Sequence, residues 1–401
     1  MADTRSAGPL EGLTVLDLTR VLSGPYCTMM LADMGARVIK IEQPGKGDDT
    51  RAWGPPFQNG ESAYFLSINR NKESVTLNLK HPDGRNILDR LIDSADVFIE
   101  NFRPGTLERI GLGPQDLVRR CPRLVYCSVS GFGHTGPRRF EPGYDAVIQG
   151  EGGLMSLTGP PEGPAYRLGI AIADIVSGMF AAFGVAMALL ARYRTGRGQF
   201  VDIGMLDSVA ALLTYQAGIY FATGEAPARL GNCHPTIVPY ETLETADDEL
   251  VVAIGNDHLW KRFCNVIGLE ALVDNPRFAT NESRVRARNE LRPILIERLR
   301  TKGASDWIER LRGNGIPCGA VRDLSQVFDD PHLIERAMII ALEHPLAGTI
   351  KTLGLPVKLV ETPGAVRTAP PTLGQHTDEV LGHDLGLNDG EIHRLREVGA
   401  I

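Results

Sequence analysis

Aromatic residues make up only 6% of this 401-residue chain, and cysteine occurs six times, as Cys27, Cys121, Cys127, Cys233, Cys264 and Cys318. None of the six falls in a CxxC pair or at His-Cys ligand spacing. That excludes a recognisable zinc site or disulfide framework and leaves reduced thiols, in an enzyme of cytoplasmic type, as the expectation. A basic block is also missing. The net charge is −7, so nucleic acid, which needs clustered Lys and Arg, is not an expected partner. A phosphorylated small molecule needs only a few local cations and stays open. Long apolar runs are scarce: the one uncharged stretch, Ile175 to Ala191, is at the short limit for a membrane span. Its Gly and Ala content, and the want of a second such stretch, point to a buried core helix and no membrane partner. The N-terminal MADTRSAGPLEG carries neither the apolar core of a secretory leader nor an Arg-rich transit pattern. GxSxG, Walker and HExxH motifs are absent as well.

What is present is an alternation of short β-rich runs with helical stretches. LTVLDLT (13 to 19), ARVIKIE (36 to 42), SVTLNLK (74 to 80), VFIEN (97 to 101) and LVYCSVS (124 to 130) read as strands. CTMMLADMG, Asp83 to Ala95 and Pro114 to Arg120 read as helices between them. Alternation of this kind predicts an α/β domain built on a doubly wound, mostly parallel sheet, with ligands beyond the carboxyl ends of the strands. From about Phe221 the pattern changes to a loop, strands, and then helices from His258 to Arg312. A smaller α+β domain is expected over 226–325, between a large domain that begins with 1–225 and a C-terminal segment, 326–401. In that last segment HLIERAM (332 to 338) reads as helical, GTIKTLG and VKLVE as β-rich, and Asp389 to Glu397 as a final helix. Gly131, Gly133 and Gly136 spell GxGxxG after a strand, but Pro137 follows where a helix should open, so neither NAD nor flavin is expected.

Most of the chemistry is concentrated between Pro142 and Ile203. Asp174 follows the short apolar run Leu168 to Ala173 and precedes the uncharged stretch, the position of an N-cap whose carboxylate takes the first free N–H groups of a helix. There the helix dipole would hold it ionised. Gly150, Gly152, Gly153, Gly159, Gly163 and Gly169 crowd its approach and Gly178 lies one turn on, as in a backbone that turns sharply or comes close to a ligand. An ionised carboxylate in such a place can serve as a nucleophile or a general base, and it can equally be a cap and nothing more. Arg103, Arg109 and Lys80 stand in or beside loops after strands, where each could meet a phosphate or simply be solvated.

YDAVIQGEGGLMSLTG, YRLGIAIADIVSGM and RTGRGQFVDI resemble the class III CoA-transferases, and the resemblance runs from GLTVLDLTRVLSGP to LGQHTDEVL. It implies that Asp174 is the catalytic nucleophile and that coenzyme A, entering as acyl-CoA, is held by residues matching Leu22, Ser23, Leu77, Asn78, Lys80, Asn101, Phe102, Arg103, Arg109, Tyr144 and Asp145. It requires no metal. One departure is Gln43, where the family often has an arginine after the second strand. The resemblance further implies a C-terminal segment that returns to the large domain and a homodimer of interlocked rings.

The reaction implied is transfer of CoA from an acyl-CoA to a carboxylic acid through an aspartyl anhydride and an aspartyl-CoA thioester. The family's racemase branch is the alternative, but where it carries an acid/base histidine and glutamate this chain has Tyr144 and Gly255. The region around RLGNCHPT looks closer to the members that pair succinyl-CoA with dicarboxylic acids. Arg167, Arg229, Asn232 and His234 are the candidates to hold the acceptor's second carboxylate.

Overall fold

The structure, a computed structural model, describes residues 8–401; the start of the N-terminal stretch read for a leader lies outside the described residues. The chain divides into two compact units, one comprising residues up to Met155, Arg167–Thr223 and Pro331–Ile401, the other Ser156–Tyr166 and Gly224–Asp330.

The first unit is built on six strands: β1 (Thr14–Asp17), β2 (Arg37–Glu42), β3 (Lys72–Thr76), β4 (Val97–Glu100), β5 (Val125–Ser130) and β6 (Phe200–Gly204). Their order is β3-β2-β1-β4-β5-β6 and every neighbouring pair is parallel. The doubly wound sheet expected from the alternation is thus present, and its direction of winding reverses between β1 and β4, where such sheets open a crevice at the strands' carboxyl ends.

Successive residues along the strands enter opposite cores, because side chains alternate across a sheet. Leu16, Ile39, Phe98 and Tyr126 pack on one face with Ile87, Leu88, Leu91 and Ile92 of α2 (Pro82–Ser94). Val15, Val38, Val97, Ile99 and Val125 pack on the other with Leu31 of α1 (Ser23–Asp33) and with Val176, Ala181 and Val185 of the long helix Ile172–Thr195. That long helix, expected as a buried core helix, buries one side in this core. Met179, Phe180, Phe183, Met187 and Leu190 stay exposed on its far side. The C-terminal segment completes the first core through Val380, Leu381, Ile392 and Leu395. Asn78 N donates to Ala400 O at 2.8 Å, and Arg37 pairs with Asp384 at 2.7 Å.

Three local expectations need correction. β3 ends at Thr76, so Leu77 to Lys80 form the turn leading into α2, and Lys80 does not end a strand. VKLVE is irregular, since it lies between Pro356 and Pro363 and leaves Val360 exposed; Gly348–Leu353 pairs instead with Ile339–His344. The segment Ser156–Tyr166, read as part of the large domain, joins the second unit. The second unit itself holds a three-stranded antiparallel sheet, Cys318–Ala320, Glu249–Ala253 and Tyr240–Glu244 in that order, and helices packed around Trp260, Phe263, Leu291 and Trp307.

Charged residues interrupt the apolar strands beneath the crevice. Lys40 and Lys72 are almost fully buried, and so is Asp17. Lys40 Nζ lies 2.9 Å from Asp48 and donates to Thr19 O at 2.8 Å; Lys72 Nζ meets Asn69 Oδ1 at 2.9 Å and Asp17 at 3.3 Å. Asp17 also accepts from the Thr19 and Thr28 hydroxyls. Burial works to raise the Asp48 carboxyl, but Lys40 and the Thr50 hydrogen bonds bring it down to about 2. Burial pushes Lys72 down to about 8 against the pull of Asp17.

Removing one member of a buried pair leaves a charge uncompensated, at a cost of about 3–5 kcal/mol. Lys40→Met should destabilise the protein on that scale in urea unfolding, and a loss below about 1 kcal/mol would show that the pair does not hold the fold.

Candidate active site

The loops after β1 and β4 meet at the switch point and are stitched together. Asn101 Oδ1 accepts from Arg20 N at 2.9 Å, while its Nδ2 donates to Arg20 O at 2.7 Å. The Arg20 guanidinium sits 5.0 Å over the Phe102 ring. Behind them, Phe102 N donates to the buried Glu100 carboxylate at 2.8 Å. Val21, next in the first loop, has φ 70°, a left-handed conformation that a β-branched residue rarely adopts.

On the other side is α3, the short helix Asp145–Glu151, followed in the chain by the long helix, here α4 (Ile172–Thr195). Asp174 is not the N-cap of α4. The N-cap is Ala171, which has no side-chain oxygen, and Asp174 stands within the first turn. Asp145 caps instead, its Oδ1 accepting from Ala173 N at 2.9 Å and its Oδ2 from Gln149 Nε2 at 2.8 Å. The buried Gln149 also accepts from Leu168 N. Asp145 is thereby committed to holding the helix that carries Asp174.

Gly178 explains how α4 lies so close to α1. A Cβ at that position would come within 2.5 Å of the Ser23 backbone carbonyl oxygen, so glycine is required there and the two helices meet backbone to backbone. One turn earlier on α4, the Asp174 carboxyl lies in the same cleft as Ser23. Burial, and then the Asp145 carboxylate, push Asp174 up to about 7, with Ser23 pulling the other way. Burial and a like charge thus act against the ionised form expected at a helix N-terminus.

Arg20, Ser23, Asn101, Phe102, Arg103, Ser130, Tyr144 and Asp174 share one cleft of about 350 Å³ in the first unit. Two other carboxylates line it, and each has a cation: Asp49 pairs with Lys46 at 2.7 Å, and Glu141 with Arg138 at 2.7 Å. Asp174 forms no ion pair among the described residues. Of the residues singled out from the sequence, Ser23, Asn101, Phe102, Arg103, Tyr144 and Asp174 come together here. Leu22 and Leu77 are buried in apolar clusters, Asn78 holds Gly399 O, and Arg109 is exposed beside Gly105.

Arg167 belongs to the first unit and donates to the neighbouring Leu168 O. Arg229, Asn232 and His234 belong to the second. There the Arg229 guanidinium is spent on the carbonyls of Pro160 and Gly163, and Asn232 donates to the Thr242 hydroxyl. His234 packs on Tyr240, and burial, then Arg288, lower its pKa. The glycines near Asp174 likewise have other work: Gly152 packs against Val209, and Gly159 and Gly163 lie in the second unit. Arg20, Ser130, Glu100 and Gln149 escaped the sequence reading. Gln149 and Glu100 had a signal, being polar residues among apolar neighbours; Ser130 had none. No helix opens at Gly136, and residues 131–144 are loop and turn. Among the described residues no cluster of His, Cys, Asp and Glu could hold a metal ion.

Comparison with known proteins extends this picture. The pattern of CoA-transferase family III matches residues 10–377. The succinyl-CoA:glutarate CoA-transferase of Mus musculus is 42% identical over 100% of this chain and 92% of its own length. The acetyl-CoA:oxalate CoA-transferase of Acetobacter aceti is 42% identical over 89% of this chain and 92% of its own. The crystal structure of a CAIB/BAIF family protein from Brucella suis superposes with a TM-score of 0.84 at 39% identity, covering 94% of this chain and all of that one. With the match spanning both units and sequence and fold agreeing, the chain belongs to CoA-transferase family III and is a transferase acting on CoA thioesters.

Proposed function

We propose that this enzyme moves CoA from succinyl-CoA to a dicarboxylic acid through Asp174, and that it works as a homodimer. The observation that carries the mechanism is that Asp174, alone among the three carboxylates of the cleft, has no cation, and is pushed up to about 7 by burial and Asp145. A desolvated, uncompensated carboxylate is a stronger nucleophile than one held in a salt bridge. Its oxygen attacks the thioester carbonyl and expels CoA thiolate, leaving a mixed anhydride. Thiolate then attacks the aspartyl carbonyl of the anhydride, releasing succinate and forming an aspartyl-CoA thioester. The acceptor carboxylate attacks that thioester, thiolate leaves again, and its return to the acceptor's carbonyl frees Asp174.

The relatives' names support a dicarboxylate acceptor, glutarate in one and oxalate in the other, while their donors differ. Because Arg229 is engaged with its own main chain, Arg20 and Arg103 in the cleft are the better cations for the anionic groups of CoA and acceptor. Support for the dimer comes from the apolar face of α4. Met179, Phe183, Met187 and Leu190 are exposed on it, and Tyr215, Tyr220 and Phe221 nearby in the chain are exposed too; an apolar helix face left open to water is the kind of surface that marks an interaction site.

Asp174→Ala should lower turnover by roughly 10⁴-fold or more, as loss of a nucleophile does elsewhere, and hydroxylamine should trap acyl-enzyme at Asp174 when acyl-CoA is supplied without acceptor. Near-parental turnover, or label on another residue, would move the site. Because the carboxylate must be ionised to attack, kcat/KM should rise with pH through about 7. Stability should run the opposite way: Asp174 binds its proton more tightly folded than unfolded, so its contribution is full below about pH 4 and is lost as pH rises through about 7. Asp174→Asn should therefore gain in Tm over the parent across that window, and a constant difference would contradict the assignment.

With succinyl-CoA as donor, dicarboxylic acids should outcompete monocarboxylic acids of equal length when new acyl-CoA is followed by mass, because a charge-assisted Arg–carboxylate pair is lost completely with the second carboxylate. A preference for monocarboxylates would refute the acceptor class and leave the Asp174 chemistry standing. Sedimentation in detergent-free buffer should give twice the 43.6 kDa chain mass; a monomer would leave the apolar face of α4 unexplained.

A further inference from the structure

The carboxyl ends of β4, β5 and β6 carry a ladder of polar side chains. Along β5, Val125 and Val129 enter one core and Tyr126 the other, which places Ser128 and Ser130 on the Tyr126 side. Each inner rung is satisfied. Tyr126 Oη donates to Leu112 O, Ser128 Oγ lies 2.8 Å from His134 Nε2, and Glu100 accepts from Phe102 N. Asp202 of β6 accepts from His134 N at 3.0 and 3.1 Å.

The last rung differs. Ser130 is 5% exposed, and its Oγ has no hydrogen-bond partner among the described residues. Gln216, Trp260, Arg288 and His344 also carry a buried unpaired atom, but none of these four lines the cleft of Asp174, and Ser130 does. Its neighbour Gly131 is pressed against Gly143, where a Cβ on either would come within 2.7 Å of the other's Cα. That contact brings the Tyr144 loop over the end of β5, where Ser130 lines the cleft.

We propose that Ser130 is a ligand-binding residue whose hydroxyl donates a hydrogen bond to an acceptor oxygen of the CoA thioester bound in the cleft. The proposal rests on the reading of this cleft as the acyl-CoA site. A buried donor without a partner carries a desolvation cost until something supplies an acceptor, and at the wall of a ligand cleft the ligand is positioned to do so. The signature differs from that of a structural serine. Removing a hydroxyl that bonds nothing in the free protein should leave the ligand-free fold as stable as before or more so, and the loss should appear only when ligand is bound.

Ser130→Ala, wild type and Arg103→Ala are compared by calorimetric titration with free CoA and with succinyl-CoA, alongside ligand-free melting curves. The expected result is an unchanged or higher Tm for Ser130→Ala with dissociation of succinyl-CoA about 3- to 10-fold weaker, the range of one hydrogen bond. Equal weakening toward free CoA places the acceptor oxygen on the pantetheine arm; weakening toward succinyl-CoA alone places it on the acyl group. A lowered ligand-free Tm would mark Ser130 as structural and overturn the proposal, as would parental affinity for both ligands. If Arg103→Ala weakens binding while Ser130→Ala does not, the serine assignment alone falls. If neither variant changes binding, the ligand lies elsewhere and the reading of the cleft falls with it.

Discussion

The geometry of the cleft depends on charges buried below it. Lys40 and Asp48, with Asp17 and Lys72 beside them, occupy strand and loop positions where an apolar side chain would be the simpler choice. Lys40 donates to Thr19 O, and Asp48 accepts from Val21 N at 3.2 Å, so the pair grips the first loop at two points on either side of Arg20. Val21, at the second of those grips, is held in a left-handed conformation. A strained β-branched residue persists only where its surroundings over-determine it, and here the buried ions do so. From that fixed loop follow the position of Arg20, its exchange of hydrogen bonds with Asn101, and the start of α1 at Ser23.

Asp174 is set from the opposite side. Its place in the first turn of α4 is fixed by Asp145 and Gln149, which secure the helix end, and by Gly178, which lets the helix close on α1. The same arrangement that fixes the carboxylate also removes its solvent and puts a second carboxylate near it. Position and basicity thus have one cause, and neither can be changed without the other.

The sheet was legible because its signal is local. Short β-branched runs separated by helical stretches give strand order little freedom once parallel connections are assumed, and five of the six strands were read near their observed positions. Asp174 was legible too, as a lone charge at the head of an uncharged stretch, but its role in the helix was not. The residue that caps α4 lies far back in the chain at Asp145, and no spacing rule links the two. The charges at Asp17 and Lys40 stand inside apolar runs, a visible anomaly for strands buried on both faces, yet their pairing with Lys72 and Asp48 is set by the fold and so appears only in three dimensions. VKLVE failed for the converse reason: its β propensity is genuine, but the flanking prolines and the lack of a neighbouring strand leave it nothing to pair with. Arg229 looked like a free cation because a sequence does not show which main-chain carbonyls lack a donor.

The discontinuity of the first unit bears on how the chain is made. The face of the sheet carrying Leu16, Ile39, Phe98 and Tyr126 is covered in part by Val380, Leu381, Ile392 and Leu395, which leave the ribosome only after the whole second unit. Until they emerge, the six strands can pair and α2 can dock, but one apolar face stays partly open while the whole second unit is being synthesised. Such exposure during synthesis is what recruits chaperones and seeds aggregation. Translation speed through Gly224–Asp330 therefore sets how long the nascent enzyme remains vulnerable, although none of those residues belongs to the core that is waiting.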